Sequence, residues 1–100
     1  MQDLNDLYYF SQVVEQGGFS AAARALDIPK SRLSRRISHL EESLGVRLLQ
    51  RTTRRLRLTS AGERYLHYCR EMAASARAAD DAMRQLQSEP AGPVIVSCPV

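Results

Sequence analysis

Lys30-Ser31-Arg32-Leu33-Ser34-Arg35-Arg36-Ile37-Ser38-His39-Leu40-Glu41-Glu42-Ser43-Leu44 reads as one amphipathic helix. With Ser31 at 0° and a step of about 100° per residue, Leu33, Ile37, Leu40 and Leu44 fall near roughly 200°, 240°, 180° and 220°. They form one apolar stripe, centred near about 210°, that must face a core. Ser31, Arg35, Ser38 and Ser34 occupy the opposite face, near roughly 0°, 40°, −20° and −60°. Lys30, Arg32 and Arg36 flank that face. Short hydroxyls permit close approach to another molecule. The bordering cations can reach phosphates or purine edges, with Arg32 and Arg36 as phosphate candidates. This face suits a DNA groove, although a solvated surface helix would carry the same serines.

The residues before this helix supply its neighbours. Leu4, Leu7, Tyr8, Phe10, Val13 and Val14 recur at helical spacing, with Asp3 as a cap and Gly17-Gly18 as a stop. Ser20 is a candidate cap for a short, small-sided helix from Ala21 to Leu26. Asp27-Ile28-Pro29 then interrupts the pattern. Two helices joined so tightly suggest a helix-turn-helix.

After Gly45, Leu48-Leu49-Gln50-Arg51 and Leu56-Arg57-Leu58-Thr59 read as two short strands around Thr52-Thr53-Arg54-Arg55. A basic hairpin beside a helix-turn-helix is a wing, able to place Arg along a minor groove. Ser60-x-x-Glu63 then matches a capping box, with Thr59 as the other cap candidate. A proline-free run follows to Ser88. Within it Tyr65, Cys69, Met72, Ala76, Ala79, Met83 and Leu86 recur at alternating spacings of four and three. Such a helix is roughly 42 Å long. Its stripe is too long for so small a head to cover. A partner helix is implied, with some packing against the first helix.

The predicted architecture is therefore mainly α. A winged helix-turn-helix of three helices and a two-stranded wing fills 1–59, and a dimerisation helix fills 60–88. Glu89-Pro90-Ala91-Gly92-Pro93 breaks the helix, and Val94-Ile95-Val96 starts a strand with no sheet to join. Segment 89–100 is thus expected to be a hinge and the first strand of a further domain.

Charge follows the same division. The total is only +3 over 100 residues. Residues 1–23 carry −3, residues 24–57 carry +7 and residues 58–100 carry −1. Of the 14 bases 13 are Arg, whose fork suits phosphate and guanine better than Lys does. Nucleic acid is the leading partner class.

Other classes find little support. No run approaches the roughly 18 apolar residues of a membrane span. Asp3 and Asp6 argue against a signal peptide. Cys69 and Cys98 form neither a CxxC pair nor a disulfide framework, which fits a reducing cytoplasm. His39 projects to the basic side, and His67 and Cys69 lie on different faces, so no catalytic dyad forms. No metal-ligand cluster, glycine-rich phosphate loop or carboxylate pair is present, and no enzyme is expected.

Many positions at fixed spacing closely resemble the N-terminal region of LysR-type transcriptional regulators. They run Leu7-x-x-Phe10-x-x-Val13-x-Glu15-x-Gly17-x-Phe19-x-x-Ala22-Ala23-x-x-Leu26, then Ser31-x-Leu33-Ser34-Arg35-x-Ile37-x-x-Leu40-Glu41-x-x-Leu44-Gly45. Leu48-Leu49-x-Arg51 and Leu58-Thr59-x-Ala61-Gly62 complete the match. The resemblance implies sequence-specific binding to double-stranded operators with inverted repeats, as a dimer through the long helix. Full-length members often form tetramers and add a domain that binds a small-molecule inducer. No cofactor is expected in residues 1–100, and RNA polymerase is a further partner to consider. The resemblance puts base reading on Lys30, Ser31, Ser34 and Arg35, and minor-groove entry on Arg54. It puts phosphate contacts on Arg51, Arg55 and the cap near Thr59. Pro29-Lys30-Ser31 departs from the family's frequent Ser-Gln-Ser. Lysine favours guanine or phosphate where glutamine pairs with adenine. Leu49 stands where phenylalanine is common. The competing reading is a dimeric coiled-coil module with only nonspecific nucleic-acid binding.

Overall fold

The computed structural model describes residues 1–51 and 56–88. Helices α1 (Leu4–Gln16), α2 (Phe19–Leu26) and α3 (Lys30–Leu44) precede strands β1 (Leu49–Arg51) and β2 (Leu56–Leu58). Helix α4 (Ser60–Ser88) runs for 29 residues. This is the expected winged helix-turn-helix with a long helix behind it. The expected hairpin tip at 52–55, the expected linker and strand within 89–100, and Cys98 lie outside the described residues.

The first three helices wrap one core. Phe10 and Val13 of α1, Ala22 and Ala23 of α2, and Leu33, Ile37 and Leu40 of α3 are buried together with Leu48, Leu49, Leu66 and Cys69. Each large apolar side chain removed from water contributes about 1.5–3 kcal/mol, offset by the entropy of ordering the chain. The alanines at the α2 contact let the helices approach closely.

Asp3 caps α1, its Oδ1 accepting the Asn5 N–H at 2.9 Å. Gly17, in the left-handed conformation, closes α1. Helix α2 starts earlier than the sequence suggested. Gly18 is its N-cap and Phe19 its first residue, while Ser20 lies exposed inside the first turn. Phe19 packs against the core, and the Gly18 carbonyl accepts the Ala22 N–H at 3.1 Å. Burial of Phe19 outweighs the intrinsic capping preference of Ser20. At the far end of α3, Gly45 closes the helix in the same way as Gly17.

Thr59, not Ser60, caps α4. Its Oγ1 accepts the Gly62 N–H at 2.9 Å and its carbonyl accepts the Glu63 N–H at 2.9 Å. The apolar seam of α4 divides in two. Cys69 is fully buried in the head, and Tyr65 packs its ring 6.0 Å from that of Phe10. Arg70 and Glu15 tie the same half to α1 at 2.8 Å. Met72 is half-buried, whereas Ala76, Ala79, Met83 and Leu86 stand exposed. Tyr65 and Cys69 therefore belong to the head's core and not to a free dimer seam. Heptad spacing records which face is apolar, not which neighbour covers it.

Burial pushes the Cys69 thiol up to about 11. Native protein should therefore leave Cys69 unmodified by iodoacetamide near neutral pH, and urea should expose it. Peptide mapping by mass spectrometry reads this directly. Rapid native labelling at Cys69 would contradict the packing. Since folding raises this pKa above the ordinary value, its stabilisation is complete below about pH 8.5 and is lost as pH rises through about 11.

Candidate nucleic-acid interface

Helices α2 and α3 meet at a tight corner. Asp27 takes the left-handed conformation with φ 58°, and its N–H donates to the Arg24 carbonyl at 3.2 Å. Aspartate tolerates this region better than most side chains. The Ile28 N–H returns to the Ala23 carbonyl at 3.1 Å. Pro29 follows as the N-cap of α3, where its missing N–H costs nothing, and its carbonyl accepts the Leu33 N–H at 3.1 Å.

Helix α3 segregates as the angles require. Leu33, Ile37 and Leu40 are wholly buried. Lys30, Ser31, Arg32 and Arg35 are exposed, and Ser34 and Ser38 are half-buried between them. The first turn holds no acid. A helix N-terminus carries positive partial charge, so this end attracts anions twice over. The fold thus brings Lys30, Ser31, Ser34, Arg35 and Arg32 to one face.

Arg36 does not join them. Its Nε donates to Asp6 Oδ1 at 2.6 Å and its Nη2 to Asp3 Oδ2 at 3.1 Å. Its guanidinium carbon lies 5.8 Å from the centre of the Tyr9 ring. Asp6 is only 4% exposed, so this pairing also satisfies a buried carboxylate. The Asp6 hydrogen bond above all raises the Arg36 pKa beyond its already high ordinary value. The guanidinium expected at a phosphate is thus engaged within the molecule in this structure. The angles held the clue, because Arg36 falls near about 140°, closer to the apolar stripe than to the outer face.

Glu41 is a site residue that charge counting missed. It is 7% exposed, and its Oε2 accepts the N–H groups of Leu48 and Leu49 at 2.8 and 3.0 Å. It thereby ties the end of α3 to the start of the wing. Its angle, near about 280°, puts an acid on the border of the buried stripe. Arg47, largely exposed, approaches Glu41 Oε1 at 4.0 Å.

The wing strands pair antiparallel, with Leu49 opposite Leu58, Gln50 opposite Arg57 and Arg51 opposite Leu56. Leu49 is buried, while Gln50 and Arg57 are exposed. Arg47 and Arg57 therefore add cations at the hairpin base that the expected site omitted. The side chain of Arg51, and Arg54 and Arg55 entirely, fall outside the described residues. Thr59, expected at a phosphate contact, also serves as a structural clamp. Besides capping α4, its hydroxyl donates to the Arg47 carbonyl at 2.6 Å, and its own N–H donates to the Leu48 carbonyl at 3.0 Å.

Among the described residues no group of three or more His, Cys, Asp or Glu side chains is placed to hold a metal ion. His39 is exposed, and His67 stands 3.4 Å from Glu71 on the outside of α4. No helix of the described residues is long and apolar enough to cross a membrane.

Comparison with known proteins agrees with this geometry. A transcriptional regulator of the helix-turn-helix type from Xanthomonas campestris pv. campestris is 51% identical over 90 residues, which is 90% of this chain and 26% of that protein. The chain spans about a quarter to a third of the length of the curated relatives it matches. The DNA-binding domain of BenM in complex with catB site 1 DNA superposes with a TM-score of 0.80 at 32% identity, covering 89% of this chain and 99% of that one. The DNA-binding domain of CbnR in complex with DNA gives 0.74 at 34% identity, covering 86% and 99%. Residues 4–63 match the family described as bacterial regulatory helix-turn-helix protein, lysR family. The chain belongs to the LysR family of bacterial helix-turn-helix regulators.

Proposed function

We propose that residues 1–88 form the DNA-reading head and dimer arm of a transcription regulator. It binds double-stranded operators sequence-specifically, as a dimer on inverted half-sites. One observation carries the reading. Helix α3 presents Lys30, Ser31 and Arg35 outward from a face locked by Leu33, Ile37 and Leu40. The fold's likeness to BenM and CbnR domains solved on DNA supports it.

In this reading Lys30, Ser31, Ser34 and Arg35 contact base edges in the major groove. Arg32, Arg51 and Arg55 contact phosphates, and Arg54 enters the minor groove. Met72, Ala76, Ala79, Met83 and Leu86 meet a twin α4. Two heads then sit about 34–36 Å apart in successive major grooves. The protein works in the cytoplasm, responds to a small-molecule inducer through a further domain, and acts on RNA polymerase recruitment, as a dimer or tetramer. It has no catalytic role.

Fluorescence titration against a selected palindrome and its scrambled counterpart tests the reading. Equal affinity for the two duplexes at moderate salt would leave only the nonspecific module. Arg35→Ala is expected to lower discrimination by about tenfold to a hundredfold, the worth of a bidentate base contact. Arg55→Ala and Arg32→Ala should weaken both duplexes alike and reduce the salt slope by about one each. The reverse ranking would overturn these assignments.

A further inference from the structure

Two polar pins flank the apolar stripe of α3, one on each side. On the wheel the stripe centres near about 210°, with Arg36 about 70° to one side and Glu41 about 70° to the other. Arg36 is gripped by Asp6 and Asp3 of the α1 N-terminus. Glu41 is gripped by the N–H groups of Leu48 and Leu49. The stripe itself is leucine and isoleucine, whose contacts have no direction and change little when a helix rolls slightly about its axis. Charge-assisted hydrogen bonds do have direction. A roll in either sense stretches one of the two pins.

We infer that Arg36 is a positioning residue for sequence recognition: with Glu41 it sets the roll of α3, and so the aim of Ser31 and Arg35. The inference rests on the DNA-binding reading above. The outer atoms of α3 lie about 5–6 Å from its axis, so a roll of roughly 10° moves them by about 1 Å. That shift spoils a bidentate contact to a base edge, whose useful range spans only about 0.5 Å. Phosphate contacts by long, mobile cations absorb it. Arg36 acts on discrimination while touching no DNA.

The test measures affinity for a selected operator and for a scrambled duplex over a range of salt. Arg36→Lys is the informative variant. Lysine keeps the charge and would still serve a phosphate, but its single nitrogen cannot reproduce the planar fork by which Nε and Nη2 of Arg36 hold Asp6 and Asp3 in fixed directions. The operator-to-scrambled ratio is expected to fall about tenfold, with scrambled affinity within twofold and the salt slope unchanged. Asp6→Asn, which leaves Arg36 in place and removes a negative charge, should lower the ratio in the same way. Melting curves establish that each variant is folded at the titration temperature. Arg36→Lys retaining the wild-type ratio would overturn the inference. So would Asp6→Asn tightening both duplexes alike, which would mark Arg36 as a phosphate ligand restrained by Asp6. A wild-type chain that does not discriminate would overturn the DNA-recognition reading itself. A discriminating wild type beside a discriminating Arg36→Lys removes the positioning role alone.

Discussion

Gly62→Ala should destabilise the head by about 3 kcal/mol or more, the upper part of the range for overpacking. A Cβ at this position would be driven into the Leu48 carbonyl oxygen, and would lie 3.0 Å from the Leu48 carbonyl carbon and 3.1 Å from Leu58 Cδ2. The obstacle is backbone, so no rotamer change relieves it. Nor can Leu48 yield freely. Its carbonyl accepts the Thr59 N–H and its own N–H is held by Glu41. Gly62 cannot retreat either, because its N–H is fixed by the Thr59 hydroxyl. In a domain of this size each kcal/mol lowers Tm by about 4–8 °C, so a fall of roughly 12 °C or more is expected by circular dichroism. A fall of under about 4 °C would mean that α4 can slide away from the wing.

Glu41→Ala should cost a comparable amount, about 3 kcal/mol. The deletion leaves two buried backbone N–H groups without their charged acceptor, and each such loss costs about 1–3 kcal/mol. It also releases the junction between recognition helix and wing. Glu41→Gln keeps an acceptor oxygen of the same reach and should recover a large part of the loss, since charge assistance only about doubles such a bond. Urea denaturation of the three proteins measures both quantities. If alanine costs under about 1 kcal/mol, or glutamine recovers nothing, the carboxylate is not the anchor described.

Local signals made much of this legible in the sequence. Asp3, Gly17, Pro29 and Gly45 bound α1 and α3 where expected, because a cap is a property of a few adjacent residues. The outer face of α3 was legible because its inner face is plainly apolar. What escaped depends on contacts between distant residues. Phe19 moved the start of α2 because the core takes its ring. Arg36 looked like one more groove cation until Asp6, thirty residues earlier, came within 2.6 Å. Glu41 enters the sequence reading only as a signature position, although its N–H partners lie seven and eight residues on. In each case residue type was informative and the missing quantity was the neighbour.

The divided seam of α4 makes that helix a lever. Its first three turns are embedded in the head through Tyr65, Leu66 and Cys69, and it continues without a break to Ser88. Arg70 and Met72 still lean on the head, so the exposed arm runs from Ala74 to Ser88 and is about 22 Å long. If two arms cross in a dimer, a change of about 5° in tilt swings a head by roughly 2 Å, more than half of the 3.4 Å rise of one base-pair step. In the dimer proposed above, half-site spacing would then be set where the arms cross and not at the reading face.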